Sequence, residues 1–152
     1  MIISGVVITD IDTSPEFTLG DTFAADDGKC YKYIKYEAAS AAVAGVSGEV
    51  AYYAKIAVGD ASGTIVTSDL SDSDQVGAGV LQADLTDGSY GWVQIKGLAT
   101  LSIALTAGAD GDPLTATGAG DGTLDVTADV TSAVCAFATD ASANIILCDF
   151  PY

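Results

Sequence analysis

Residues 90–97 read Tyr90-Gly91-Trp92-Val93-Gln94-Ile95-Lys96-Gly97, and this stretch decides the fold. At a period of two, Val93 and Ile95 point to one side, while Tyr90, Trp92, Gln94 and Lys96 point to the other. One side is plain core; the other is aromatic and polar, suited to packing, a partner or a ligand. A central β-strand is the expectation. Gly97 ends the run, and alternation resumes in Leu98 to Leu105 with Leu101, Ile103 and Leu105 on one side. Two adjacent strands joined by a tight corner are the simplest account.

Working outward, short apolar runs recur between Gly- and Asp-rich corners. Asp26-Asp27-Gly28 precedes a strand from Lys29 to Glu37; Gly59 to Gly63 follows a strand from Val50 to Val58; Thr86-Asp87-Gly88 leads into the central element. Asp and Gly favour such corners because both tolerate positive φ. Further short strands are expected at Thr64–Thr67, Val76–Asp84, Leu114–Thr117, Thr123–Thr127, Ser132–Ala138 and Asn144–Asp149, with an exposed acidic loop from Ser68 to Gln75. Residues 1–12 form an N-terminal arm or first strand, and the Ala-rich stretch 38–48 supports no firm assignment. Regularly spaced short strands without a long helical pattern point to an all-β fold, a compact β-barrel or β-sandwich. The 152 residues suffice for a single β domain, with a possible subdivision into 1–88 and 89–152.

The chain has no Arg or His, five Lys, 21 acids and a net charge of −16. Only Glu16, Glu37 and Glu49 are Glu, so the charge sits on Asp, a turn former, and falls in loops. Such a surface cannot neutralise a phosphate backbone, which excludes direct nucleic-acid binding. Lys29, Lys32 and Lys35 interleave with Tyr31, Tyr33 and Tyr36, but cross-strand packing accounts for that pattern better than base stacking. No run is long enough to cross a bilayer and the start lacks a signal peptide's features, so no membrane association and folding in a reducing cytoplasm are expected.

Chemistry finds little support. Without His the common general base is missing, and no Ser lies in a nucleophile elbow. Cys30, Cys135 and Cys148 are widely spaced with no CxxC pair, which fits free thiols, although a Cys135–Cys148 bridge stays open. Asp110-Gly111-Asp112 and the Asp69 to Asp74 loop lack the spacing of a calcium loop. No enzyme activity, cofactor or metal is expected; a glycosidase built on a chance carboxylate pair is the weakest alternative.

The central stretch, the apolar strand after it, Gly111-Asp112-Pro113-Leu114-Thr115, a Gly-rich hairpin, a small-residue strand near Ala133 to Ala138 and a closing Ile145-Ile146-Leu147 together resemble small tailed-phage capsid proteins of the decoration, or cement, type. The likeness covers mainly residues 88–152, with a weaker echo in Leu19 to Ile34. The resemblance implies a compact β domain made in the host cytoplasm. It implies an oligomer, often a trimer, on the outer surface of the virion's capsid, where it clamps capsomers of the major capsid protein. Lys32, Lys35, Tyr52, Tyr53 and Trp92 are the candidate protein-interface residues, offering rigid aromatic area and scarce positive charge. The alternative is a virion surface or tail module that binds a host glycan.

Overall fold

A computed structural model describes residues 5–38, 44–55 and 63–151, and every structural statement below concerns these residues. They form ten strands and no helix: β1 (Thr22–Ala24), β2 (Cys30–Tyr36), β3 (Val50–Ala54), β4 (Ile65–Thr67), β5 (Ser73–Leu81), β6 (Tyr90–Thr100), β7 (Pro113–Thr115), β8 (Asp125–Val126), β9 (Ala136–Asp140) and β10 (Ile145–Asp149). The all-β expectation holds.

Pairing runs β2–β4–β3–β5–β6 and returns from β6 to β2, so five strands close into a ring. All its pairings are antiparallel except β2–β4. Closure removes the free edges that would otherwise invite pairing with other chains. β1 forms a hairpin with β2 across the Asp26-Asp27-Gly28 corner. From the far end of β6 the sheet continues outward as β10–β9–β7–β8.

The central stretch behaves as its alternation predicts. Val93 and Ile95 face the main apolar cluster, which they share with Ile34, Val50, Leu85 and, from the outer strands, Leu114 and Ile146. This cluster draws on both sides of residue 88. Trp92 lies on the opposite face with Tyr31 and Tyr33 in a second, aromatic cluster. The N-terminal arm covers that cluster by laying Val6, Ile8, Phe17 and Leu19 over it. Its backbone is tied at two places: Asp12 and Tyr90 exchange N–H···O bonds of 3.0 and 2.9 Å, and Gly20 N–H donates to the Tyr33 carbonyl at 2.9 Å.

Three expectations need correction. Gly97 does not turn the chain: residues 90–100 are one eleven-residue strand, and only the first part of the run read as its neighbour belongs to it. Gly97 has φ +91°, a conformation that L side chains avoid, and Lys29 Cγ stands 2.9 Å from where its Cβ would be. A local irregularity thus lets one strand pair with β2 along its first half and with β10 along its second. The loop from Ser68 to Gln75 is not simply exposed: Ser68, Asp69 and Ser73 are buried, and β5 begins at Ser73. Asp69 escapes the cost of burial because its carboxylate accepts from Ser71 N–H at 2.9 Å and Ser71 Oγ at 2.7 Å. The strand expected over Val50–Val58 ends at Ala54, and residues 56–62, with most of the turn read at 59–63, lie outside the described residues, as do residues 39–43.

Candidate interaction surface

Trp92 is 1% exposed, with ring centroids of Tyr33 at 5.1 Å and Phe17 at 5.3 Å. Tyr52 is fully buried: its hydroxyl meets the Gly120 and Thr123 carbonyls and accepts from Thr123 N–H at 2.9 Å, pinning the 118–123 turn to the ring. Lys32 is buried as well, its ammonium donating to Gly63 O at 2.9 Å and Tyr53 Oη at 3.1 Å while lying 5.1 Å from the Tyr53 ring centroid. Burial alone pushes the Lys32 pKa down. Burial inside the chain leaves these three no surface for a partner, which corrects the sequence-based list. Lys35 and Tyr53 retain some surface, Lys35 in an ion pair with Glu37 at 2.7 Å. The interleaved Tyr31, Tyr33 and Tyr36 are all buried, so no stacking platform exists there.

The exposed apolar surface lies elsewhere. Leu98 of β6 is paired with Leu147 of β10, Leu147 with Phe137 of β9, and Phe137 with Pro113 of β7. Directly paired residues project from the same face of a sheet. These four therefore form one row across four strands, with Leu98 52%, Leu147 42% and Phe137 40% exposed. Their sequence neighbours Ala99, Ile146, Cys148, Ala136 and Ala138 are buried on the other face. The period-two alternation was visible in the sequence, but periodicity does not say which of two apolar faces the core takes.

The row is stiffly held. Gln94, buried behind it, donates through Nε2 to the carbonyls of Lys96 at 3.0 Å and Leu98 at 2.9 Å, fixing the backbone on both sides of Gly97. On one flank, Leu98 and Ile145 border a cleft of about 420 Å³ that also takes in Lys29, Gln82 and Gln94. Beyond the Lys96–Asp149 ion pair, on the other flank, lies a groove of about 320 Å³ lined by Val76, Val134, Phe150 and Pro151.

Reactive groups are few around this surface. Cys135 and Cys148 are free thiols, each pushed up to about 12 by burial, which holds them protonated and unreactive at neutral pH. Among the described residues no three His, Cys, Asp or Glu side chains converge as a metal site. The outermost Asp residues serve turns: Asp129 and Asp140 accept from Thr131 and Ser142, and these hydrogen bonds hold their carboxyls below the usual range. A stiff apolar row in an acidic surface is suited to binding a protein face that carries positive charge. Comparison with family models, with curated proteins and with solved structures found no match.

Proposed function

We propose that this chain is a structural virion protein of the capsid decoration kind, fixed to the outside of a phage head where it stabilises contacts between capsomers of the major capsid protein. The observation that carries the reading is the row Leu98–Leu147–Phe137, a solvent-facing apolar strip on a rigid sheet whose other side is core. Support also comes from the sequence resemblance over residues 88–152. The net charge of −16 adds a requirement: the partner surface carries the cations that this chain lacks. Modest contact per copy is adequate, because a lattice repeats it many times. The host-glycan alternative loses support from the enclosure of Trp92 and Tyr52, whose ring faces are unavailable to stack on a sugar.

The test is binding to purified heads that lack this chain. Wild type is expected to load at a copy number comparable to the shell protein and to raise the melting temperature of the heads. Leu147→Asp and Phe137→Asp, both at exposed positions, are expected to fold normally and to bind at least about tenfold more weakly. Equal loading of the variants, or only a handful of copies per particle, overturns the reading.

A further inference from the structure

Half of the buried Gln94 amide is unused by the fold. Its Nε2 gives both hydrogens to the carbonyls of Lys96 and Leu98, and these two acceptors fix which end of the amide is nitrogen. Oε1 therefore points away from that backbone, accepts from no other residue and is not sealed inside the protein. Gln94 is 3% exposed and lines the cleft of about 420 Å³ beside Leu98, so this oxygen is an acceptor built into the cleft wall. An acceptor kept from bulk water and given no donor costs free energy, which a ligand N–H in the cleft recovers.

Lys29 supplies the opposite function. Its stem lies against Gly97, the residue between the two carbonyls that Gln94 holds, and it lines the same cleft. Asp27 stands 3.9 Å from the ammonium, near enough to offset its charge but too far to accept a hydrogen bond from it. The donors of Lys29 therefore remain uncommitted while the site is close to electrically neutral. Val80, Leu98 and Ile145 give the cleft an aliphatic wall, and among the described residues that line it none is aromatic.

These groups select the occupant. An anion would approach a chain of net charge −16 for an ammonium that Asp27 already offsets. A cation offers Lys29 no acceptor. A sugar ring finds no aromatic face to stack on. A neutral carboxamide carries an N–H donor and a C=O acceptor on separate atoms, and a methylene stem for the aliphatic wall. Leu98 belongs both to this wall and to the exposed apolar row, so a polypeptide lying on the row passes the mouth of the cleft.

We infer that the cleft binds the carboxamide side chain of an Asn or Gln on a polypeptide partner, its N–H donating to Gln94 Oε1 and its carbonyl accepting from the Lys29 ammonium. The polypeptide carrier rests on the reading of the row as a protein-binding strip; the amide site rests on Gln94 and Lys29 alone.

Nitrogen-15 NMR titration of the full chain with N-acetyl-glutamine methylamide tests it without capsids, so its failure and that of the capsid reading are told apart. Saturable shifts in the millimolar range are expected at the Gln94 side-chain amide, Gly97 and Leu98. The matching leucine and glutamate compounds and N-acetylglucosamine are each expected to bind at least about fivefold more weakly. Lys29→Met keeps the stem and removes the donors, and is expected to weaken binding about tenfold. Thr100→Trp, at an exposed position in the cleft wall, is expected to block it with the rest of the spectrum unchanged. Lys55→Met, which removes a charge elsewhere, is expected to bind like wild type. The inference is overturned if the glutamine probe gives no saturable shifts, or if the leucine, glutamate or sugar compound binds as tightly. It is equally overturned if Lys29→Met or Thr100→Trp binds normally, or if Lys55→Met loses as much as Lys29→Met.

Discussion

The two faces of β6 are cored differently. On the Val93–Ile95 face the apolar side chains are sealed by the closed ring of strands and by the β10–β9–β7 extension, so each neighbour is tied into the sheet. On the Trp92 face, Tyr31, Tyr33 and Trp92 are covered by an arm whose own apolar side chains are only partly buried. One core is closed by backbone pairing and the other by a strap. Stability is therefore expected to be global on the first face and local on the second, because regions with few enclosed contacts open separately.

Gly79 offers the hardest way to break the ring side. It has φ +149°, and a Cβ there would stand 2.8 Å from the carbonyl oxygen of Gln94 and 2.8 Å from Val93 Cβ. The oxygen is backbone of β6 and cannot step aside without parting β5 from its partner. Gly79→Val is expected to cost about 4 kcal/mol or more, enough to abolish soluble expression of a domain of ordinary stability. Recovery of a variant with a wild-type melt would show that the ring is far looser than its pairing indicates.

On the strap side, Trp92→Ala is expected to cost about 3–5 kcal/mol by urea unfolding, as for other buried aromatics. The sharper measurement is hydrogen exchange. Protection is expected to fall first at Tyr33 and Tyr90, whose amides bond to Asp21 and Asp12 of the covering segment, while the ring amides stay protected. Uniform loss of protection over both faces would mean that the two cores form one cooperative unit.

Much of this contrast was legible in the sequence, and the limits are physical. Alternation placed Val93 and Ile95 opposite Trp92, and Asp-Gly pairs marked the corners before β2 and β6. Alternation could not say whether the aromatic face is covered, because the cover comes from Phe17 and Leu19, far away in the chain and without a strand pattern of their own. Trp92 thus read as a contact residue although it is enclosed, and so did Tyr52, which lies in the other cluster and is enclosed by the equally distant 118–123 turn. The converse happened at Leu98, Phe137 and Leu147, which read as ordinary strand residues although they face solvent. Ring closure through the parallel β2–β4 pairing was also invisible, since nothing local to Lys35 or Ile65 records a partner thirty residues away.

Alkaline titration separates the faces more gently. Burial raises the pKa of Tyr31 and Tyr33 on the aromatic side and of Tyr36 and Tyr52 on the ring side, and a hydrogen bond to Asp12 at 2.5 Å adds to the effect at Tyr33. In the unfolded chain these phenols ionise near pH 10, whereas the folded chain keeps their protons. The unfolded state thus binds fewer protons, so stability is level below about pH 9 and falls as pH rises above it. Cys135 and Cys148, raised to about 12, add to the same fall. Tyr33→Phe is expected to flatten the decline measured by urea unfolding between pH 9 and 11. An unchanged slope would mean that Tyr33 is open to solvent and that the strap covers it loosely.

Lys32 gives the smallest effect and the finest distinction, because it is a buried cation on the ring face, paired across the sheet with Val93. Its partners are a phenol and a carbonyl rather than a carboxylate, so replacing it strands no opposite charge. Removing one member of a buried ion pair is costly chiefly because the other charge is left behind, and that term is absent here. Lys32→Met keeps the packed stem, removes the cost of holding an ammonium away from water, and gives up two hydrogen bonds. The net change at pH 7 is expected to lie within about 1 kcal/mol of zero. The pH dependence has a definite sign. The folded pKa is lowered, so the cost in the wild type is complete below that value and is relieved as pH rises through it toward the unfolded value near 10.5. Wild type is thus expected to gain on Lys32→Met as pH rises from 7 toward 10. A loss exceeding about 3 kcal/mol at pH 7 would show that the ammonium is a structural anchor of the ring, comparable to a buried ion pair.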